Sequence, residues 1–176
     1  MSCNKIEFES KDHLSGEWPH PAILAALCGI LILAGVAIGY FVDPLKVNSR
    51  GFTKAMEELA DVEDGTEVRF SDITPFEWDR VYTFDPYVSR EEIEKTLGIE
   101  NRRIKETVNE GMEQLIFVKD KELVCSITGY SSSLGWYVDL GPGEDGKNYR
   151  MVEPADDEMT VGHEGGIPGL VFEGGK

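Results

Sequence analysis

The sequence predicts an α+β domain, with a mainly antiparallel sheet and two or three helices, carried by one N-terminal transmembrane helix. Two observations predict this class. An uncharged apolar run of 22 residues lies near the N-terminus, and short alternating segments beyond it are interrupted by amphipathic ones. The predicted organisation is a polar arm at 1–20, a transmembrane helix at 21–42, a soluble domain at 44–152 and a flexible tail at 153–176.

The run at 21–42 contains no charged side chain and shows no polar stripe. At 1.5 Å per residue it spans the roughly 30 Å hydrocarbon core of a bilayer. Trp18 and Tyr40 fit interfacial anchoring at its two ends. A cleaved signal peptide is the alternative, with residues 37–39 as cleavage site, but the preceding arm is long and acidic rather than short and basic. We expect the anchor to be retained.

Gly35 and Gly39 form a G-x-x-x-G motif inside this run. Such spacing lets two membrane helices pack closely, so we expect helix–helix packing at these glycines, with a homodimer as one outcome. The lysines and arginines flanking the run are too evenly divided to decide the orientation of the helix.

The soluble domain shows clear local signals. Ser89 and Glu92 form a capping box, Val88 and Ile93 form a hydrophobic staple, and Gly98 ends the predicted helix at 90–97. Helical spacing predicts a further helix at 52–59. Alternation and β-branched or aromatic content predict strands at 67–71, 78–84, 113–118, 122–128, 136–140 and 149–152.

From residue 153 the composition becomes acidic and then glycine-rich. Few strongly apolar residues occur there, apart from a short run at 170–172. Such composition is typical of segments that bury too little apolar surface to fold. The sequence therefore predicts a flexible tail at 153–176.

The chain is strongly acidic, with 33 Asp and Glu against 17 Lys and Arg and a net charge of −16. This balance argues against nucleic acid, where cationic side chains supply most of the affinity. It also argues against a domain that lies on an anionic lipid surface. A solvated acidic surface explains the composition, and binding of a basic protein partner is the more specific alternative.

No motif for catalysis, for a cofactor or for a metal is present. The soluble part contains one histidine, His163, and it lacks the nucleophile-elbow, phosphate-loop, zinc-protease and dinucleotide signatures. Asp79 and Asp85 are the best candidates for carboxylate chemistry. Their structural interpretation, with Asp79 facing solvent and Asp85 capping the turn before Pro86, is favoured over catalysis.

Aromatic residues are dense between 76 and 87. Most of them are expected in the core, because aromatics supply much of the burial in a small domain. Those left exposed would form a protein-binding surface, since Trp, Tyr and Arg dominate interface energetics. The predicted partner surface consists of Trp78, Arg80, Tyr82, Tyr87 and Trp136.

Residues 76–82, FEWDRVY, with Pro86-Tyr87 beyond them and the later run LIFVKD at 115–120, carry a resemblance. They resemble small bacterial membrane-anchored or lipoprotein domains built around F-E-W-D-x-V-Y…P-Y. The resemblance covers roughly a third of the chain. It implies a bacterial source and a domain outside the cytoplasmic membrane, and no catalytic residue. A membrane helix stands here in place of the lipidated cysteine of such proteins.

These observations lead to three functional hypotheses. The first is a non-enzymatic protein-binding module, held by a single pass in the cytoplasmic membrane with its domain outside; an immunity-type protein that neutralises a toxin is one version. The second is an accessory subunit or assembly factor of an envelope complex, associated through Gly35 and Gly39. The third is a carboxylate-based enzyme using Asp79 or Asp85.

Overall fold

A computed structural model describes residues 43–143 and 146–172 of the chain. Within these ranges no helix is long and apolar enough to cross a membrane. The predicted membrane helix at 21–42, with Gly35 and Gly39, lies outside the described residues, as does the arm at 1–20.

Helices and short helical turns alternate irregularly with eight strands in the described part of the chain. The helical elements are α1 (Pro44–Glu57), a 3₁₀ turn (Glu58–Asp61), α2 (Phe70–Ile73), α3 (Arg90–Leu97) and α4 (Ser131–Leu134). The strands are β1 (Glu67–Arg69), β2 (Arg80–Phe84), β3 (Met112–Lys119), β4 (Glu122–Tyr130), β5 (Tyr137–Asp139), β6 (Tyr149–Val152), β7 (Glu158–Glu164) and β8 (Ile167–Phe172).

The strands form two four-stranded sheets, and the α+β class is confirmed. The first sheet has the order β1-β7-β8-β5 and the second β4-β3-β2-β6. Every pairing is antiparallel except that of β5 with β8. The division into two sheets was not predicted, because alternation within a strand does not say which strand it pairs with.

The main core fills the space between the two sheets and extends under α1. Phe52 and Met56 of α1, Phe117 of β3 and Trp136 are fully buried there. A second cluster lies on the other face of the β4-β3-β2-β6 sheet, where Ile93 of α3 packs with strand residues such as Ile116. The consecutive residues of β3 therefore alternate between two cores, which explains its nearly continuous apolar run.

Two local predictions are confirmed in detail. The Ser89 hydroxyl accepts a hydrogen bond from the Glu92 amide at 3.3 Å, and Gly98 ends α3 in the left-handed conformation with φ 67°. β3 and β4 form the predicted hairpin. Asp120 and Lys121 both have positive φ, the requirement of a two-residue hairpin turn whose twist matches that of the strands.

The prediction of a flexible tail from residue 153 is wrong for 158–172. β7 and β8 occupy the centre of their sheet and bury Met159, Val161 and Leu170. Asp157 anchors the entry to β7, because its buried carboxylate accepts hydrogen bonds from the Ser71 amide at 2.7 Å and from Arg69 Nε at 3.1 Å. Acidic and glycine residues on the outer face concealed the alternation of apolar residues on the inner face.

Candidate functional site

The predicted partner surface does not exist as one surface. Trp78 and Tyr82 are 6% and 7% exposed, and Trp136 is completely buried. Trp78 packs in the main core, whereas Tyr82 lies in the second cluster, so the sheet separates the two. Arg80 is exposed and pairs with Glu153 at 3.0 Å. Trp78, Tyr82 and Trp136 bury their aromatic surface in the two cores, so these side chains are not available to a partner.

Tyr87 is the exception, since its side chain is 67% exposed. Its backbone adopts the left-handed conformation, φ 70°, which costs a residue other than glycine about 1–2 kcal/mol. The Tyr87 amide donates to the Thr107 carbonyl at 2.8 Å, which fixes this conformation. Val108, 55% exposed, follows Thr107. The fold therefore holds an aromatic side chain in solvent beside an exposed aliphatic one.

The two aspartates proposed for carboxylate chemistry are not brought together. The Asp79 carboxylate accepts a hydrogen bond from the Asp120 amide at 2.7 Å and so holds the hairpin turn. Asp79 lines a shallow depression with Trp78 and Lys119, whereas Asp85 lines a different cavity. The geometry gives Asp79 a structural role.

The cavity that contains Asp85 is a cleft of about 390 Å³, which we call the acidic cleft. It lies where the ends of β2, β3 and β6 from one sheet meet β5 and β7 from the other. Four carboxylates and one guanidinium line it, together with a tyrosine: Asp85, Glu113, Asp139, Glu164, Arg150 and Tyr137. The cleft is therefore polar and carries an excess of negative charge.

Glu113 is the most deeply placed of these carboxylates. It occupies the same face of β3 as the core residues Leu115 and Phe117. Burial raises the pKa of Glu113 to about 6, and the nearby Asp139 and Glu164 carboxylates also raise it. The Val138 amide donates to its carboxylate at 3.2 Å and opposes the shift. Glu113 thus satisfies a backbone donor of the edge strand β5 and contributes a charge to the cleft near neutral pH.

Tyr137 forms one wall of the cleft by lying across two glycines. Gly169 of β8 is its partner in register, and Gly162 of β7 pairs with Gly169. A Cβ at Gly169 would overlap the Tyr137 ring, and one at Gly162 would come within 3.0 Å of its hydroxyl. Burial, followed by the charges of Glu164 and Asp64, raises the pKa of Tyr137. Its hydroxyl is consequently a neutral donor at physiological pH.

Arg150 brings the positive charge into the cleft. It pairs in register with Thr83 of β2, and its guanidinium lies 5.0 Å from the centroid of the Phe172 ring. Its Nε is buried and has no hydrogen-bond partner among the described residues. A buried donor without an acceptor is costly, so an oxygen that reached this N–H would accept a hydrogen bond from it.

The remaining side chains that could take part in a reaction, Cys125 and His163, have structural roles. Cys125 is buried, and burial raises the pKa of its thiol to about 12. His163 lies on β7 and binds the Asp64 carboxylate through Nδ1, which raises its pKa. Within residues 43–143 and 146–172 no three His, Cys, Asp or Glu side chains are grouped to hold a metal ion.

The acidic cleft was missed at the sequence level, although one signal for it exists. Glu113 breaks the apolar pattern of β3 at a core-facing position, and a polar residue at such a position indicates a functional or buried polar site. Asp139, Arg150 and Glu164 carry no comparable signal, because only the pairing of the two sheets brings them together. No protein-family model, no curated protein and no solved structure matches this chain.

Proposed function

We propose that this chain is a membrane-tethered, non-enzymatic protein-binding module of the bacterial envelope, and that its acidic cleft binds a basic segment of a partner protein. The observation that carries the proposal is the convergence of Asp85, Glu113, Asp139 and Glu164 on one cleft between the sheets. The net charge of −16 would steer a basic partner toward the domain.

The cleft offers complementary contacts to a Lys or Arg side chain and to the backbone that carries it. The carboxylates accept charge-assisted hydrogen bonds from an ammonium or guanidinium group. The Arg150 guanidinium lines the cleft and can donate to a backbone carbonyl of the same segment. This combination favours a peptide over a free cation, since a free cation has no use for the Arg150 donor.

Tyr87 supplies an exposed apolar contact directly after two residues of the cleft in the chain. Asp85 and Pro86 line the cleft, and Tyr87 follows them directly. Interface energetics are concentrated in Tyr, Trp and Arg side chains that are already ordered before binding. The hydrogen bond to Thr107 fixes the left-handed backbone that carries the Tyr87 side chain.

The membrane tether and the envelope location come from the sequence. The apolar run at 21–42 supports a single-pass anchor, and the resemblance of residues 70–128 to bacterial membrane-anchored domains supports a domain outside the cytoplasmic membrane. A partner in the envelope, or one that enters it, follows from this location.

Photo-crosslinking in the producing cells tests the proposal. A photoreactive phenylalanine derivative replaces Tyr87 in the full chain, and a second chain carries it at Val47, an exposed position on α1. We expect a discrete crosslinked protein from position 87 and none from position 47. The double substitution Asp139→Asn, Glu164→Gln should then reduce the crosslink at least tenfold, because two of the carboxylates that bind the basic segment are neutralised.

The matched control neutralises two exposed carboxylates that do not line the cleft, with Glu63→Gln in the turn before β1 and Glu67→Gln on β1. This variant loses the same formal charge and should keep the crosslink. If both double variants lose the crosslink equally, overall charge rather than the cleft attracts the partner. A crosslink that survives the cleft substitutions contradicts the proposed site.

A further inference from the structure

Six lysine and arginine side chains of this acidic chain line two adjoining cavities. We call these six side chains the basic patch. One cavity of about 450 Å³ is lined by Asp43, by four residues of α1, by the loop after α3 and by Ser126 of β4. The other, of about 630 Å³, is lined by the start of α3 and by the same loop. Lys105 lines both, so the cavities adjoin at this residue. The patch consists of Lys46, Arg50, Arg90, Arg102, Arg103 and Lys105.

The local structure explains why these side chains face solvent together. Lys46 and Arg50 are four residues apart on α1 and therefore share one helix face. Ile104 is buried in the second cluster, which leaves Arg103 and Lys105 exposed on either side of it. The Asn101 side chain accepts a hydrogen bond from the Arg103 amide at 3.0 Å and fixes the turn.

Carboxylates neutralise the patch only in part. Asp43 pairs with Arg103, Glu94 pairs with Arg90 at 3.7 Å, and Glu106 accepts a hydrogen bond from the Arg90 amide at 3.1 Å. With Glu91, which lines one of the cavities, four carboxylates stand against six cations. The patch therefore keeps a net positive charge on a chain whose total charge is −16.

The position of the patch along the chain indicates its partner. Asp43 lines the patch and is the first residue after the apolar run at 21–42. If that run spans the bilayer, the direct connection of Asp43 to residue 42 keeps this residue at the membrane surface. Anionic phospholipid headgroups are then the nearest abundant source of negative charge.

We propose that the basic patch binds anionic phospholipid headgroups of the membrane in which the chain is anchored. The proposal rests on the predicted anchor and not on the partner-binding role of the acidic cleft. Each lysine or arginine held at an anionic surface favours the docked state about fivefold. The charge of the whole chain argues against a domain that lies along an anionic surface, so the proposed contact is confined to the patch. Docking there would fix the orientation of the domain, because the acidic groups elsewhere are repelled from the same surface.

Lysine acylation of the full chain in lipid nanodiscs tests this proposal. One set of discs contains phosphatidylcholine alone, and the other contains phosphatidylglycerol as well. We expect the anionic lipid to slow acylation of Lys46 and Lys105 about fivefold or more, because headgroups cover their ammonium groups. Lys54 and Lys121, exposed lysines outside the two cavities, should change less than twofold in the same sample, and 0.5 M KCl should reduce the protection.

Two double variants distinguish the effect of the patch from the effect of the total charge of the chain. Arg50→Gln with Arg102→Gln removes two patch cations and keeps both reporter lysines, so the protection should fall at least fivefold. Arg80→Gln with Lys95→Gln removes two cations outside the patch and should leave the protection intact. Equal acylation of Lys46 and Lys105 in both kinds of disc contradicts the patch, as does equal protection by soluble inorganic phosphate in phosphatidylcholine discs. If the chain does not float with vesicles after treatment with alkaline carbonate, it is not anchored in the membrane, and the proposal is wrong.

Discussion

The acidic cleft and the basic patch are both charged surfaces, but they are built in opposite ways. The cleft is formed by strand residues whose neighbours belong to the main core, and Glu113 and Tyr137 are themselves partly buried. The patch is formed by exposed side chains on α1 and on the loop after α3. Substitutions in the cleft should therefore alter folding stability, whereas substitutions in the patch should not.

The largest change in folding stability is expected for a substitution at Gly169, which lies under the Tyr137 ring that forms the wall of the cleft. Gly169→Ala places a methyl group inside the Tyr137 ring. Because the strands on both sides are paired, relief requires displacement of the ring, and we expect the free energy of unfolding to fall by about 3 kcal/mol. Chemical denaturation of the full chain in detergent measures this.

Adding Tyr137→Ala to Gly169→Ala provides the control for this prediction. The double variant should recover part of the loss, since the methyl group then occupies the space left by the ring. If Gly169→Ala changes stability by less than about 0.5 kcal/mol, the cleft wall is not rigidly packed, and the contrast with the patch disappears.

Glu113 gives the second effect, which depends on pH. Its pKa in the fold is about 6, above the ordinary value of 4.5, so the folded chain binds this proton more tightly than the unfolded chain does. The contribution of Glu113 to stability therefore falls as the pH rises from 4.5 through 6. Allowing for its partial exposure, the loss is about 1 kcal/mol.

Glu113→Gln removes this titration but keeps an oxygen that can accept from the Val138 amide. We expect the variant to match the native chain at pH 4.5 and to exceed its stability by about 1 kcal/mol at pH 8. Unfolding curves at both values check the difference. A variant that is less stable than the native chain at pH 8 would show that the carboxylate is favourably paired.

The smallest effect is expected in the patch. Lys46→Gln with Arg50→Gln should change the free energy of unfolding by less than about 0.5 kcal/mol, because both side chains are exposed and form no ion pair among the described residues. The same denaturation measurement applies. A loss above about 1 kcal/mol would mean that the patch supports the fold and would remove its contrast with the cleft.

Local signals in the sequence were sufficient for the elements that depend on local chemistry. The ends of α3 follow from the capping box at Ser89 and from Gly98, whose interactions lie within one helix. The β3–β4 hairpin follows from two adjacent strands and a short turn. In both cases the residues that determine the structure are close in the chain, so the local signal agrees with the observed structure.

Prediction failed where distant pairing decides the outcome. β7 and β8 become central strands because β1 and β5 flank them, and their glycines are required by Tyr137, more than twenty residues earlier. Trp78 and Trp136 are buried because two sheets and α1 enclose them. The acidic cleft depends on the same packing, so its residues were recognisable only at Glu113.

The pKa of Glu113 in the presence of a basic ligand tests the central claim most directly. The full chain in detergent micelles is labelled at its glutamate carboxyl carbons, and the Glu113 titration is followed by NMR with and without oligolysine. If the acidic cleft binds a basic segment, a bound ammonium stabilises the carboxylate, and the pKa of Glu113 should fall from about 6 to its ordinary value of 4.5 or below. The fall should be smaller with Asp139→Asn and Glu164→Gln. A pKa that stays at about 6 with saturating oligolysine would contradict the acidic cleft as the binding site.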